Sequence, residues 1–586
     1  FDQILGTGDL TLVAHNIERE REILKHKFGL DLPVERFIDT AAMAARMSLP
    51  RNLEDLAGFF GLDAEVKKEG GKAIRTLHSP NKRGEFWTRD EKPEAYAALE
   101  ARCVQDVELM RTIYHRLLPL EEKERRIWAT TIRMNERGVR VDLPAIPAAK
   151  RVLDEDARPL LQEFDALTGG VKLKSYVKLA KVCGLPDVGK STVRKALRDP
   201  GTAPKTRRIL EILQGLSKSS VAKLDAMEAR QIDGRVKGSF LYCGAERTGR
   251  WSSNGVQFQN FKRGLGAETD LAFECLAAGT LDLCFTGAPR PSPDPELTPT
   301  GTIAEMLRGF ILGPFLVGDM AQIEARVLGW LAGQDDLIET FRNKGDPYCA
   351  MAAEIYGHPV TKKEKDKRFM GKQAVLGCGY GLGANGFRFM LDETYDVQVE
   401  EDFAKRVVDA YRRKNPRIVA FWDRLGRGFL HAVAHGSKRI RISEPGRPLI
   451  CAGVLEQGGE KYAFLELPSG RRLYYAQPTI QPTKRGPAVH YYGRERFSKG
   501  WTQVHTYGGK IAENITQAVS RDVLAEAMLR LEAAGFSLVM TVHDEVVAEG
   551  EADRLEEFER VMAAPPAWAE GLPIEVEAFA SRRYRK

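Results

Sequence analysis

Two runs of apolar, β-prone residues at 538–542 and 546–548 enclose His543-Asp544-Glu545, with almost no loop residue between them. That pattern predicts a hairpin whose tight tip presents carboxylates. A second apolar run at 315–318 stops at Asp319. From about Gln322 the spacing lengthens, and Ile323, Val327, Leu328 and Leu331 fall at helical core positions. Asp319 is therefore expected at a strand-to-helix junction. Residues 363–381 read as a helix with a basic start and a glycine-rich end. Arg368, Lys372, Leu376 and Tyr380 recur every fourth residue there and form one slowly drifting stripe.

The rest of the chain sorts by the same periods. Residues 10–16 predict a strand followed by a helix rich in Glu and Arg, and 96–117 have helical periodicity. Residues 118–234 are helical, with a turn-rich middle at 199–201 and a Ser217-Lys218-Ser219-Ser220 cluster. The stretch 264–305 reads as variable, its proline-rich part at 289–299 as an exposed loop. Strand-like sequence returns at 431–499, as in Arg471-Arg472-Leu473-Tyr474-Tyr475.

At 586 residues the chain has room for several domains and large cores. Its 88 basic and 81 acidic residues leave a net charge of +7, too mild to establish nucleic-acid binding by itself. Basic residues do gather between 172 and 237, among them Lys205, Arg207, Arg208, Lys218 and Lys223. Eight widely spaced cysteines without a Cys-x-x-Cys pair predict reduced thiols in a cytosolic setting rather than disulfides or zinc. No apolar run has the length of a membrane span, and no signal peptide is visible. A chain starting at Phe1 reads as a fragment or a processed product.

Taken singly, each chemical element has a plain structural reading. An acidic hairpin tip often serves solubility, Asp at a strand–helix junction caps helices, and the 363–381 stripe suits any amphipathic helix with a basic edge. A rigid turn also holds a carboxylate in place for a divalent cation. On the stripe, Arg368 suits outer phosphates, Lys372 an inner phosphate, and Leu376 and Tyr380 a sugar and base.

In combination and order, Asp319-x-x-Gln322-Ile323-Glu324, Arg368-x-x-x-Lys372 with Tyr380-Gly381, and His543-Asp544-Glu545 resemble motifs A, B and C of family A DNA polymerases. Arg247-Thr-Gly-Arg250-Trp-Ser-Ser253, Gln259-Asn260 and the segment 506–517 ending in Gln517 extend the resemblance, which runs from about Glu121 to the C-terminus. It implies an α/β multidomain, right-hand polymerase. The thumb would be 118–234, the palm 235–332 and 431–586, with 431–499 rejoining the palm, and the fingers 333–430. Asp319 and Asp544, with the Met320 carbonyl, would hold two Mg²⁺ ions about 3.5–4 Å apart, Mn²⁺ being an alternative. Lys372 would stabilise charge and donate a proton, and Glu545 would support the site. Met320, Gln322, Glu324, Arg368, Leu376 and Tyr380 would surround the nucleotide. Glu324 and Tyr380 together would fill the space of a ribose 2′-hydroxyl. Lys218 and Lys223 would contact phosphates. Arg247, Arg250, Gln259, Asn260 and Gln517 would test pair geometry in the minor groove, and His543 would touch the primer end. Gly377, Gly379 and Gly381 serve either as a hinge or as a helix stop. The implied partners are primer–template DNA and deoxynucleoside triphosphates, for a monomer in the cytoplasm open to replication proteins.

Some positions depart from the pattern. Met320 and Ala321 replace a common Tyr-Ser, Leu376 an aromatic residue and Val375 an Asn; Leu-Gly-Cys-Gly-Tyr-Gly at 376–381 is closer to a phage branch. Residues 1–117 resemble a 3′–5′ exonuclease (RNase H-like) domain, but incompletely. The first acidic motif is absent, Asn16 and Glu20 stand for the second, and Asp106 for the third. Arg102 occupies the place of the usual Tyr. Two carboxylates are too few to gather two cations, so this domain is expected to be a structural platform. The alternative readings are a single-subunit RNA polymerase-like nucleotidyltransferase, a nuclease and an inert DNA-binding protein.

Overall fold

The computed structural model describes residues 10–62, 67–81, 83–216, 220–281, 299–484, 486–494 and 500–585. At its centre is a four-stranded antiparallel sheet in the order Ser537–Val542, Glu545–Glu549, Leu312–Met320, Val576–Arg583. Phe315, Leu316 and Val317 are buried without alternation, because the strand lies inside the sheet and is covered on both sides. The covering element is the helix Gly508–Ala533, whose Ile511, Ile515, Val519, Val523 and Leu524 join the same core.

Helices at Asp335–Arg342, Pro347–Tyr356, Lys365–Cys378, Ala384–Tyr395, Glu401–Lys414 and Pro416–Ala434 occupy the range expected to be the fingers. A separate cluster around Phe387, Leu391, Val407 and Tyr411 packs them. The thumb rises on the long helix Ala145–Thr168, and its tip has its own core around Phe164, Leu179, Leu210 and Leu213. That tip touches the fingers. Arg194 Nη1 donates to the Asp392 carbonyl at 2.7 Å, and Arg198 pairs with Asp392 at 2.5 Å and with Asp396.

The segment at 431–499 does not rejoin the palm sheet. Its strands pair among themselves, in a six-stranded antiparallel sheet running from Trp501–His505 to Ile440–Arg441. The reason is packing: Tyr462, Phe464, Tyr474 and Ala476 are buried against Met43, Met47, Leu56, Phe59 and Phe60 of the N-terminal domain. The two share one core, so the exonuclease-like region is fixed to the body rather than tethered to it. That region keeps a small parallel pair, Leu12–Ala14 with Phe37–Asp39, and the helix Pro93–Arg116.

Two further expectations change. Part of the stretch read as variable is the helix Thr269–Ala278, whose Ala272, Phe273, Cys275 and Leu276 are buried; its apolar spacing was too short to register as periodic. The run 289–299 falls outside the described residues except for its last position. Among the described residues six cysteines are free, but Cys275 is disulfide-bonded, against the expectation of reduced thiols throughout. Among the described residues no helix is long and apolar enough to cross a membrane.

Candidate polymerase active site

The central strand Leu312–Met320 delivers Asp319 to one end of the sheet, where its backbone pairs with Glu545 on one side and Glu577 on the other. The hairpin turns over His543 and Asp544, with His543 in the left-handed region at φ 57°. Met320 N–H donates to the Asp544 carbonyl at 3.0 Å. Two aspartates far apart in sequence therefore stand side by side, both half-buried, while Glu545, directly opposite Asp319, is fully buried. Asp319 is not a helix cap. The helix is Ile323–Ala332 and its N-cap position is Gln322, at φ 54°.

The helix Lys365–Cys378 carries Arg368, Lys372 and Leu376 on one face; Tyr380 follows just beyond its end. Arg368 pairs with Asp346 at 2.7 Å and lies over the Tyr348 ring, 5.2 Å from its centroid. Lys372 is half-buried, and burial, with Arg263 and Arg368 nearby, lowers its pKa from the ordinary 10.5. Leu376 is exposed at 37%. Tyr380 Oη donates to Glu324 Oε2 at 2.9 Å, and Arg250 Nη2 donates to Glu324 Oε1 at 2.5 Å. Burial, with the Glu324 carboxylate beside it, pushes the Tyr380 phenol well above its usual value. Gly379 retains helical angles and Gly381 takes φ 82°, as a helix stop requires.

The expected DNA contacts divide. Asn260 and His543 are exposed, and Gln517 is half-exposed. Arg247 instead lies over Tyr491, 4.3 Å from the ring centroid. Gln259 Nε2 donates to the Thr541 carbonyl at 2.9 Å and braces the hairpin. Lys223 Nζ sits 4.5 Å from the Phe261 ring centroid, and burial lowers its pKa. Cation–π and backbone contacts thus turn these three inward, where helical or loop position alone suggested phosphate or base. Lys218 lies outside the described residues. Asp346, Tyr348 and Arg263 escaped the sequence reading; the Asp346-Pro347 pair at a helix start was the available signal for Asp346, whose carboxylate caps Tyr348 and Cys349.

Asn16, Glu20 and Asp106 share a cavity of about 520 Å³ with Arg19, Arg51 and Arg102. Arg102 pairs with Asp106 at 3.5 Å. A guanidinium thus faces the Asp106 carboxylate, and Glu54 lines the cavity beside Glu20.

A family profile for DNA polymerase family A matches residues 173–432. The DNA polymerase of Bacillus phage SP02 is 31% identical over 99% of this chain and 90% of its own length. The thermostable DNA polymerase I of Thermus thermophilus is 25% identical over 98% of this chain and 58% of its own length. The solved POL domain of Pol1 from M. smegmatis, in complex with DNA primer-template and dNTP, superposes with a TM-score of 0.60 at 17% identity, covering 98% of this chain and 86% of that one. The fold and site define a right-hand nucleic-acid polymerase. The chain belongs to DNA polymerase family A.

Proposed function

We propose that the chain copies a DNA template by adding deoxynucleotides to a primer 3′-hydroxyl, with release of pyrophosphate, in phage DNA replication. The observation that carries this reading is that Asp319 and Asp544 lie side by side at one end of the sheet, with Tyr348, the ring under Arg368, within electrostatic reach of Asp544. The primer oxygen bonds to the α-phosphorus as the bond to the departing pyrophosphate breaks, so negative charge builds on both oxygens and on the phosphorus between them. Arg368 and Lys372 face that charge, and Lys372 holds a proton suited to the pyrophosphate. Glu324 and Tyr380 close the space at the sugar 2′ position.

The donor set fits Mg²⁺. Two carboxylates and the Met320 carbonyl are hard oxygen ligands, and such ions take their remaining ligands from water and substrate phosphates. When bound, the ions would acidify the primer hydroxyl and neutralise the triphosphate.

A primer-extension assay with Mg²⁺, offering either deoxy- or ribonucleotides, tests the proposal. Template-directed extension with deoxynucleotides supports it. Extension with ribonucleotides alone, shortening of the primer, or binding without either would each replace it.

A further inference from the structure

The strand Val576–Arg583 runs antiparallel to Leu312–Met320, with Glu577 opposite Asp319 and Arg583 opposite Leu312. Its end is firmly anchored. Arg583 pairs with Asp142 at 2.8 Å, donates to the Gly309 carbonyl at 2.8 Å and lies 3.8 Å from the Phe273 ring centroid. The next residue is thereby driven inward. Tyr584 N–H donates to the Ile311 carbonyl at 3.0 Å, and the side chain is fully buried.

The Tyr584 hydroxyl reaches the underside of the site. It donates to Glu545 Oε1 at 2.6 Å, a length typical of a hydrogen bond to a charged oxygen. Arg308 Nη1 lies 3.4 Å from the same hydroxyl, its guanidinium stands over the Tyr584 ring at 5.2 Å, and its other end donates to the Phe261 carbonyl at 3.1 Å. Glu545 is itself fully buried, follows Asp544 directly and pairs across the sheet with Asp319. A carboxylate that shares a sheet face with Asp319 competes for the cations gathered there unless another group holds it.

We infer that Tyr584 is a positioning residue. Acting through Glu545, and braced by Arg308, it holds that carboxylate in one place and fixes the backbone that presents Asp544. The inference rests on the reading of Asp319 and Asp544 as cation ligands. Partners of this kind, one shell behind the ligands, typically carry about 10–100-fold in metal affinity or activity.

The test is a Mg²⁺ titration of single-nucleotide incorporation by the full chain, as wild type and as Tyr584→Phe. In the variant, half-saturation moves to higher Mg²⁺ and kcat falls, together by about 10–100-fold, while KM for primer–template stays unchanged. Tyr584→Phe/Glu545→Gln matches Glu545→Gln alone, because the two side chains act as one unit. An unchanged Mg²⁺ requirement and kcat, with or without a lowered Tm, would reduce Tyr584 to packing and overturn the inference, as would additive effects in the double variant. Should Tyr584→Phe fail to fold, Arg308→Gln removes the brace from the Tyr584 hydroxyl instead: a raised Mg²⁺ requirement supports the inference, and an unchanged one overturns it. Failure of the wild type to extend primers at all would instead sink the polymerase reading.

Discussion

Tyr380 donates its phenolic hydrogen to Glu324 at 2.9 Å and so joins the end of a fingers helix to the first turn of a palm helix. Arg250 holds the other oxygen of the same carboxylate, which leaves Glu324 little freedom to move aside for a bulkier sugar. Glu324→Ala is expected to weaken ribonucleotide exclusion by tenfold or more, the scale on which a pocket rejects small added groups (about 10–200-fold). Paired incorporation assays with one deoxy- and one ribonucleotide read the ratio; an unchanged ratio would remove Glu324 from sugar selection.

Lys372 gives a pH signature. Its pKa is lowered by burial and by Arg263 and Arg368, so as pH rises its proton is lost at a point below the ordinary 10.5. Incorporation that needs the charged form is complete below that point and falls above it. Lys372→Arg, which keeps its charge at any accessible pH, lowers the rate but carries the alkaline limb upward. A limb that stays in place belongs to another group.

Asp346 has two tasks. It caps the helix Pro347–Tyr356 through Tyr348 and Cys349 N–H, and it pairs with Arg368 at 2.7 Å. Asp346→Ala is expected to cost about 0.5–2 kcal/mol of stability from the cap and to raise KM for the nucleotide as Arg368 loses its fixed pose. Denaturant unfolding and steady-state kinetics on the same preparation separate the two.

In the N-terminal cavity, Arg102 faces Asp106 at 3.5 Å and only Glu20 remains as a second acidic ligand of the remnant motif. Metal-dependent release of nucleotides from a 3′ end is expected to be negligible, and Asp106→Ala to leave it so. Release abolished by that substitution would overturn the platform reading. The domain's structural part is checked separately: Phe464→Ala, which opens the core shared with Met47 and Phe60, is expected to cost about 3–5 kcal/mol.

Where local pattern sets geometry, the sequence was legible. A short apolar run ending in Asp319, a two-residue turn at Asp544 and a four-residue repeat from Arg368 to Leu376 each fix a backbone and hence a side-chain direction. Tyr380 lies past its helix yet still reaches Glu324. What period cannot fix is the partner. Alternation marked strands near 471–475 without saying that Tyr474 packs on the N-terminal domain rather than the palm. Arg247, Gln259 and Lys223 sit on loops or helix ends, where a ring or a carbonyl distant in sequence decides their direction. Tyr584 depends on the anchoring of Arg583, which no local window contains.

The central claim is that Asp319 and Asp544 act together on one reacting phosphate. Single-turnover incorporation of one deoxynucleotide in Mg²⁺, by wild type, Asp319→Asn, Asp544→Asn and the double variant, tests it most directly. Each single change is expected to lower the rate by several orders of magnitude with primer–template still bound, and the double change to add little further. Wild-type rates in either single variant would contradict the account.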